Sequence, residues 1–591
     1  VVAVWDPTNE GTQPRGKQVL DPQGIWYTAV SGIWQTVWLE PLPELYVSSL
    51  EVTPELEASR VHVLVHTEGS PDPQPVQIAI YAEGNPLRIE EGFSETPITL
   101  AIQDPRPWSP DDPFLYDLEV RIGNMAPGRP WYTDPDFDRV DSYFGMRSIH
   151  IGPDEKGYQR LFLNGEPLFQ YGLLDQGWWP DGLYTPPTDD ALRFDVEKSK
   201  ELGFNLIRKH VKVEPARWYY HCDQEGLLVW QDMPSGNFEG PEAAQQFATE
   251  LEALVAGLRN HPSIVMWVPF NESWGQHDTE NYVAFLEEMD PTRLVNNASG
   301  WTDTGTGDVL DVHRYPGPGN PPSETVSPLG PRAAVLGEFG GLGLPLAGHT
   351  WVTEDNWGYR SYETLPDLNR AYADLLTLLR PLIGEGLAAA VYTQTTDVEV
   401  EVNGIMTYDR EVVKLDESVK DLHARLFTAP PSLGPVLPTS QEVPQQWRYT
   451  TADPGPVWAS ADYDDSSWSE GEGGFGRNDT PGSIVRTPWE TSDIWLRKSF
   501  DLSEETLSEL GDSPLLLRIH HDEDAEVFLN GEEVASLGGY TTGYSLAFLD
   551  PKAPSLLRTG FNTLAVHVKQ TDGGQYIDLG IVELAESEEG G

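Results

Sequence analysis

Two glutamates in this 591-residue chain stand in short segments rich in glycine, asparagine and aromatic residues. Glu272 lies in Trp267-Val-Pro-Phe-Asn-Glu-Ser-Trp274, and Glu338 lies in Val335-Leu-Gly-Glu-Phe-Gly-Gly341. Two carboxyl groups can cleave a glycosidic bond when one protonates the leaving oxygen and the other attacks the anomeric carbon or activates a water. A separation of about 5–5.5 Å gives retention, and one of about 6.5–9.5 Å gives inversion. A lone glutamate at a strand end is more often a capped loop or an ion pair, so the hypothesis depends on the pair.

The region that must position these glutamates alternates short apolar runs with longer helical patterns. Eight such units predict a (β/α)8 TIM barrel, in which catalytic groups lie at the C-terminal ends of the strands. Glu272 follows the fourth strand and Glu338 ends the seventh, so both can face one sugar across the barrel mouth. The predicted strands are Leu168–Leu173, Leu206–Arg208, Leu227–Trp230, Ile264–Pro269, Leu294–Asn296, Val309–Val312, Ala334–Gly337 and Ala389–Tyr392.

The regions on both sides of the barrel have the alternating pattern of β-sheet proteins. Runs such as Val61–Val65 and Leu115–Arg121 predict an immunoglobulin-like sandwich. Later runs, with the turn signal Asn530-Gly531, predict a second sandwich or jelly roll. The expected division is 1–45, the end of a jelly roll; 46–152, the sandwich; 153–430, the barrel; 431–446, a proline-rich linker; and 447–591, a C-terminal jelly roll.

The first residues have the pattern of strands that close a domain. Val1–Trp5 and Ile33–Leu39 are rich in β-forming residues. Such strands need partners for their backbone groups, so they either pack on the sandwich, pair with another chain, or belong to a truncated sequence. We favour truncation and expect Val1 to enter as a strand beside an incomplete sheet.

The charge and composition exclude several classes of function. With 38 basic and 94 acidic residues, the net charge of −56 disfavours nucleic acid and anionic membranes as partners. It suits a solubility device or a high-salt environment. Neither an apolar run long enough to span a membrane nor a recognisable metal or cofactor motif is present, and the single Cys222 excludes an intrachain disulfide. The sequence does not decide whether the protein forms a homo-oligomer. It also leaves the cellular compartment open, although we favour export to the periplasm or the extracellular space.

Taken in order, the motifs resemble glycoside hydrolase family 2, the family of β-galactosidases, β-glucuronidases and β-mannosidases. The likeness covers nearly all of residues 1–430. It rests on Gly24-Ile-Trp-Tyr-Thr28, Ser31-Gly-Ile-Trp-Gln-Thr-Val-Trp-Leu39, Pro107-Trp-Ser-Pro-Asp-Asp-Pro-Phe-Leu-Tyr116, Phe144-Gly-Met-Arg147, Leu163-Asn-Gly-Glu-Pro167, Phe270-Asn-Glu-Ser273 and Gly337-Glu-Phe-Gly340. The resemblance implies a TIM barrel flanked by an immunoglobulin-like sandwich and galactose-binding-like jelly rolls, and a retaining, exo-acting β-glycosidase without a cofactor.

The resemblance also implies a role for each site residue. Glu272 would be the general acid/base and Glu338 the nucleophile. Asn271 would bind the sugar 2-hydroxyl, Tyr315 would hydrogen bond to the nucleophile, and Arg208 would lie beside it, although an ion pair at the barrel floor is the alternative for Arg208. The remaining candidates for contact with the carbohydrate substrate are His210, Asp175, His313, Trp274 and Trp357, with Trp178 and Trp179 as further stacking candidates. A structural histidine and core packing are the alternatives for His210 and for each tryptophan.

Departures from the family pattern leave the specificity open. Lys209-His-Val-Lys212 replaces the Ser-His-Tyr-Pro run of many galactosidases and glucuronidases, and the Asn-x-Lys motif of glucuronidases is not visible. The segment Val229-Trp-Gln-Asp-Met-Pro234 resembles mannosidases more closely. The hypothesis is therefore a β-galactosidase-like enzyme, with β-mannosidase or another family 2 specificity, endo cleavage, or a non-catalytic carbohydrate-binding protein as alternatives.

Overall fold

The computed structural model of the protein describes residues 1–123, 138–319, 330–511 and 513–586. It contains a parallel sheet of eight strands, whose spatial order is 5-4-3-2-1-8-7-6 when the strands are numbered along the chain. Strands 5 and 6 are joined by the bridge between Asn296 and Gly307. All eight predicted strands are present, so the expected TIM barrel is confirmed. The barrel strands are Gln170–Asp175, Leu206–Lys209, Leu228–Asp232, Ile264–Val268, Leu294–Val295, Val309–Arg314, Ala333–Gly340 and Leu387–Thr393.

The helices between these strands begin and end at expected signals. The Thr188 side chain caps the first helix by accepting a hydrogen bond from Ala191 N. Gly226, with a left-handed φ of 72°, ends the second helix. None of the helices in the described part of the chain has the length and apolar content that crossing a bilayer requires. The helices of this region are Asp189–Glu201, Ala216–Glu225, Pro241–Leu258, Thr279–Met289, Leu365–Gly384 and Val419–Leu426.

The barrel strands explain their own sequence pattern. Every residue of strands 3 and 4 is buried, because parallel strands are covered on both faces. Apolar side chains such as Trp230, Met266 and Val335 fill the region below the strand ends. Polar residues replace them at the C-terminal ends of the strands, where the catalytic candidates lie.

A sandwich precedes the barrel, as the sequence predicts. One sheet contains three strands and the other contains four. Side chains alternate between buried and less buried along the strands, with Val61, Val63 and Val65 in the core. The three-stranded sheet is Tyr46–Glu55, Arg60–Glu68 and Ile98–Ala101, and the four-stranded sheet is Asn85–Phe93, Pro75–Ala82, Tyr116–Ile122 and Asp138–Phe144.

Arg147 joins the end of this sandwich to the barrel. Its guanidinium is buried and donates hydrogen bonds to the carbonyl oxygens of Pro262 (2.9 Å), Thr292 (2.8 Å) and Ile264 (2.7 Å). These carbonyls lie at the beginning of strand 4 and just before strand 5. A small sheet, consisting of Ile149–Pro153, Gln159–Leu163 and Glu166–Pro167, then leads into the first barrel strand.

The first 45 residues correct the sequence prediction. Neither Val1–Trp5 nor Ile33–Leu39 is a strand, so the expected strand at Val1 is wrong. The regular elements here are a 3-10 turn at Thr8–Glu10 and the short paired strands Gln18–Val19 and Tyr27–Thr28. A β-rich sequence forms a strand only where a partner can accept its backbone hydrogen bonds, and the described part of the chain offers none beside these two runs.

The middle of this segment is instead bound to the barrel. The backbone N–H groups of Arg15 and Gly16 both donate to Ser235 O, at 2.9 and 3.0 Å. Thr28 N donates to the Glu399 carboxylate at 2.9 Å. We call residues 12–30 the N-terminal strap, since they run over loops that follow the barrel strands.

The C-terminal region forms a second compact unit with two six-stranded sheets, which agrees with the predicted jelly roll. Asn530 and Gly531 have φ values of 52° and 93° and make the predicted hairpin turn. The predicted linker is corrected, because Ser432–Leu437 is a strand that pairs with Tyr576–Ala585, with an irregular register at Pro435. The other strands are Gln446–Thr450, Ser469–Glu472, Phe475–Gly476, Thr487–Pro488, Asp493–Leu502, Leu515–Asp522, Asp524–Leu529, Glu532–Leu537, Ser545–Phe548 and Gly560–Lys569, and the helices are Glu504–Leu510 and Ala553–Leu556.

Candidate active site

Glu338 is a buried carboxylate near the end of barrel strand 7. Tyr315 Oη donates to its Oε2 at 2.7 Å, and Arg208 Nη1 lies 3.3 Å from its Oε1. Burial raises the pKa of Glu338, but the positive charges of His313 and Arg208 outweigh burial and bring the pKa down to about 2. The carboxylate is therefore ionised at neutral pH and carries the charge that a nucleophile needs.

Glu272 stands in a tight turn after barrel strand 4. Glu272 and the following Ser273 have left-handed φ values of 49° and 63°, and Glu272 N donates to Ser299 O at 2.8 Å. Non-glycine residues with such a backbone are held by their surroundings and cluster at functional sites. The turn directs the Glu272 side chain toward Glu338, and one oxygen of each carboxylate lies within 4.8 Å of the other. The two glutamates that stand out in the sequence therefore lie side by side in the fold.

Arg208 and Asn271 are joined by a hydrogen bond beside Glu338. Arg208 is fully buried and donates to both oxygens of Asp232, at 3.0 and 2.9 Å, and to Asn271 Oδ1 at 2.8 Å. Arg208 therefore combines the two roles considered from the sequence, an ion pair at the barrel floor and a neighbour of Glu338. Because the Asn271 amide oxygen faces Arg208, its NH2 group is left to donate to a ligand.

His210 is a buried histidine with one nitrogen unused. Its Nδ1 lies 3.0 Å from Asp232 Oδ2, and its Nε2 has no hydrogen-bond partner. Burial, followed by the charges of Lys17 and Arg208, lowers the pKa of His210 well below its ordinary value. The ring is therefore neutral, with the proton on Nδ1, and Nε2 presents a lone pair that can accept a hydrogen bond.

His313 lies between the two catalytic candidates. Its Nδ1 is 2.8 Å from Glu272 Oε1 and 3.3 Å from Glu338 Oε2, and its Nε2 is 2.8 Å from Ser299 Oγ. Both nitrogens are thus engaged by the protein. Asp175 is also engaged, because Lys209 Nζ binds one carboxylate oxygen and Gly177 N donates to the other at 3.1 Å.

The tryptophans divide into a rim pair and a core pair. Trp274 packs edge to face on Trp26 of the N-terminal strap, with ring centres 4.6 Å apart. Trp357 Nε1 donates to Gly24 O, also in the strap, at 3.2 Å. Trp178 and Trp179 are buried, so core packing is the better description of both.

Sequence reasoning missed the part that the N-terminal strap plays in the site. Tyr27 Oη donates to the buried Glu401 at 2.6 Å, and Asn403 Nδ2 donates to the other Glu401 oxygen at 2.9 Å. The positive charge of Lys17 is close enough to lower the pKa of Glu338 and to oppose the effect of burial on Glu401. Lys17 lies in Pro14-Arg-Gly-Lys-Gln18, which matches no motif for a sugar-binding site. No rule of residue spacing connects it with Glu338 or Glu401, which lie more than 300 positions later.

Two groups of side chains in the described part of the chain have ligand atoms close enough to share a metal ion. One is Glu272, His313 and Glu338, which are already connected by hydrogen bonds. The other is the more exposed set His349, Asp409 and Glu411.

Comparison with known proteins finds one family in both the sandwich and the barrel. The family description "Glycosyl hydrolases family 2" matches residues 45–147, and "Glycosyl hydrolases family 2, TIM barrel domain" matches residues 187–315. A β-galactosidase of Vibrio vulnificus is 26% identical over 321 residues, which are 49% of this chain and 29% of the relative. A β-galactosidase of Thermoanaerobacter pseudethanolicus is 28% identical over 285 residues, 46% of this chain and 36% of the relative. The chain thus spans well under half the length of these relatives.

Solved structures share the fold at low sequence identity. β-Glucuronidase 3 of Bacteroides uniformis is 14% identical, with a TM-score of 0.50, over 91% of this chain and 77% of that chain. The β-galacturonidase of Eisenbergiella tayi bound to galacturonate is 20% identical, with a TM-score of 0.51, over 65% of this chain and 73% of that chain. The two family descriptions match the sandwich and the barrel segment that contains Asn271 and Glu272, and these two regions of the chain belong to glycoside hydrolase family 2.

Proposed function

We propose that this protein is an exo-acting, retaining β-glycosidase in which Glu338 is the nucleophile and Glu272 is the general acid/base. The observation that carries the proposal is the separation of the two carboxylates. One oxygen of each lies within 4.8 Å of the other, which suits the spacing of about 5–5.5 Å in retaining enzymes and is shorter than the 6.5–9.5 Å or so of inverting enzymes.

In the first step, ionised Glu338 attacks the anomeric carbon of the terminal sugar while Glu272 donates a proton to the leaving oxygen. The bond from carbon to the leaving oxygen breaks, and a covalent glycosyl ester on Glu338 forms. In the second step, Glu272 takes a proton from water, the resulting hydroxide attacks the same carbon, and Glu338 leaves as a carboxylate. Two inversions give net retention.

Residues around the pair would bind the sugar. The free NH2 group of Asn271 is placed to donate to the 2-hydroxyl, an interaction that strengthens in the transition state. His210 Nε2 would accept a hydrogen bond from another hydroxyl, because it is a bare lone pair beside the nucleophile. Tyr315 and Arg208 would hold Glu338 in its ionised form. Trp274 and Trp357 would bound the site at the rim, and Asp175 would act through Lys209.

A neutral, galactose-like sugar is the substrate class that we favour. Glu401 is buried and close enough to Glu338 for the two charges to interact, so a sugar carboxylate would meet like charge here. The matched relatives include β-galactosidases, and the fold neighbours include a β-glucuronidase and a β-galacturonidase.

A panel of nitrophenyl β-glycosides, including galactoside, mannoside, glucoside and glucuronide, tests the proposal. Glu338→Gln should abolish turnover, whereas Glu272→Ala should retain more activity on dinitrophenyl than on phenyl glycosides and recover with azide. Proton NMR of the first-formed sugar should show the β anomer. Glu354→Gln, at an exposed glutamate, is the matched control and should behave as wild type. Equal, small losses in both active-site variants, or an α product, would refute the assignment.

A further inference from the structure

His313 has a hydrogen-bonding environment that determines how many protons it carries. Its Nε2 is 2.8 Å from Ser299 Oγ, and Ser299 Oγ is 2.6 Å from Asp311 Oδ2. A serine hydroxyl has one hydrogen to donate. If that hydrogen goes to the Asp311 carboxylate, the Ser299 oxygen can only accept from His313, so Nε2 must carry a hydrogen.

Asp311 is arranged as an acceptor. Gly337 N donates to its Oδ1 at 2.6 Å, and Asn296 Nδ2 donates to its Oδ2 at 2.7 Å. An ionised carboxylate can only accept hydrogen bonds, and each of its oxygens can accept more than one. Ser299 Oγ–H therefore donates to Asp311 Oδ2, and not the reverse.

The other ring nitrogen also faces an acceptor. His313 Nδ1 lies 2.8 Å from Glu272 Oε1 and 3.3 Å from Glu338 Oε2. Because Glu338 is ionised, only a hydrogen on Nδ1 makes its contact with Glu338 favourable. With a hydrogen on each nitrogen, His313 is an imidazolium. The arrangement is the reverse of that of His210, whose Nε2 has no partner.

The charges that face His313 agree with this state. Glu338 on strand 7 and Asp311 on strand 6 provide negative charge, and Glu272 in the loop after strand 4 makes a hydrogen bond to His313. The positive charge of Arg208 on strand 2 opposes them. Farther across the site, Asp232 and His210 also interact with it. Burial lowers the pKa of His313, but the surrounding carboxylates outweigh burial and raise it above its ordinary value.

We propose that His313 is a positioning residue that stores the catalytic proton of Glu272. As substrate displaces water, the Nδ1–H bond breaks and a proton passes to Glu272 Oε1, leaving neutral imidazole and a carboxylic acid. Glu272 then protonates the leaving oxygen. In the second step, the proton that Glu272 takes from water returns to Nδ1. No proton is gained or lost by the pair over the cycle, and this role rests on the proposed function.

The first test observes the stored proton without any substrate. In protein labelled with ¹³C at the histidine Cε1 position, His313 is identified among the 13 histidines as the signal that His313→Gln removes. We expect it to have the shift of an imidazolium at pH 7. A neutral ring at pH 6 would overturn the proposal whether or not the protein hydrolyses a glycoside.

The second test uses two glycosides of the sugar that the panel identifies. General acid catalysis contributes about 10²–10⁴-fold, so His313→Gln should lower kcat/KM by roughly 100-fold for the phenyl glycoside and by less than about 5-fold for the dinitrophenyl glycoside, which needs little protonation. A structural role alone would lower both equally, and that result would overturn the proposal.

Ser299→Ala is the companion variant, because it removes the acceptor of Nε2 and leaves the contact between Nδ1 and Glu272. The basic limb of its kcat/KM profile should move to lower pH, with activity preserved on the acid side. An unchanged basic limb would contradict the proton store. If no glycoside of the panel is hydrolysed, the proposed function fails and the transfer step with it, whereas a neutral His313 in an active enzyme removes the proton store alone.

Discussion

Arg208 links most of the charges in the site, since it contacts Asp232, Asn271 and Glu338 without exposure to solvent. Removing one partner of a buried ion pair leaves the other charge uncompensated, at a cost of about 3–5 kcal/mol. Arg208→Met should therefore lower the free energy of unfolding by about that amount in urea denaturation.

Arg193→Met is the matched control, because Arg193 makes an exposed ion pair with Glu197 four residues later on one helix. Its effect should be below about 1 kcal/mol. Similar losses for the two variants would mean that the Arg208 network contributes no more than a surface pair.

The lowered pKa of Glu338 predicts activity at acid pH. The folded-state pKa of about 2 lies below the ordinary 4.5, so the stability linked to this ionisation is present above pH 4.5 and is lost as pH falls toward 2. The acid limb of kcat/KM should consequently lie below pH 4, while circular dichroism shows the protein still folded. Tyr315→Phe removes a donor from Glu338 Oε2 and should move the limb upward. A wild-type midpoint between pH 4 and 5 would contradict this prediction.

The two glutamates that we propose as catalytic could be found from the sequence because each stands at the end of a predicted strand within a short, informative motif. The contacts of His313 could not, since they depend on Ser299 and Asp311 from neighbouring strand ends. Lys17 and Glu401 were missed for a stronger reason. Lys17 comes close enough to interact with Glu401 because backbone groups of the N-terminal strap, a segment without long strands, donate hydrogen bonds to the barrel, and the pattern of side chains does not predict such bonds.

Among the elements, the strap makes one approach that tolerates no side chain. Gly16 has a φ of 63°, and a Cβ at this position would lie 2.5 Å from Val211 O. Gly16→Ala should displace the strap and lower both the melting temperature and kcat/KM. Gly24→Ala is the control, because Gly24 has a φ of 60° and open space around its Cβ position.

Both variants carry the left-handed backbone cost of about 1–2 kcal/mol, so the difference between them isolates the close contact. Overpacking of this kind adds about 1–3 kcal/mol. Equal melting temperatures and equal activities for the two alanine variants would show that the strap does not depend on its approach at Gly16.

Strands were predicted correctly from the sequence where each has a neighbouring strand on both sides and is buried. The eight barrel strands carry continuous apolar runs for that reason, and their bounds differ from the predicted ones by few residues. Val1–Trp5 and Ile33–Leu39 have equally good β composition, but among the described residues neither run pairs with a strand. The opposite error occurred at Ser432–Leu437, where a linker was predicted and a strand is present. Pro435 indicates a linker in the sequence, but an edge strand accommodates this proline at an irregular register.

The whole molecule carries a net charge of −56, and self-repulsion of this size should make its stability depend on salt. Between about 0.01 and 1 M sodium chloride the Debye length falls from about 30 to 3 Å, so the melting temperature should rise substantially. Sucrose of equal osmolarity, which screens no charge, is the control. A flat response to salt would leave solubility as the only role of the acidic surface.

The buried guanidinium of Arg147 has a consequence for recombination between relatives of this protein. It belongs by sequence to the sandwich, yet its three hydrogen bonds end on carbonyls of the barrel. A chimera that exchanges the sandwich without an arginine at this position would take the arginine donor from Pro262 O and Thr292 O, which precede strands 4 and 5, while Ile264 O would keep Arg293 Nε as a donor at 3.1 Å. A crossover between the sandwich and the barrel should therefore lie before Arg147, so that this arginine is inherited together with the barrel carbonyls to which it donates.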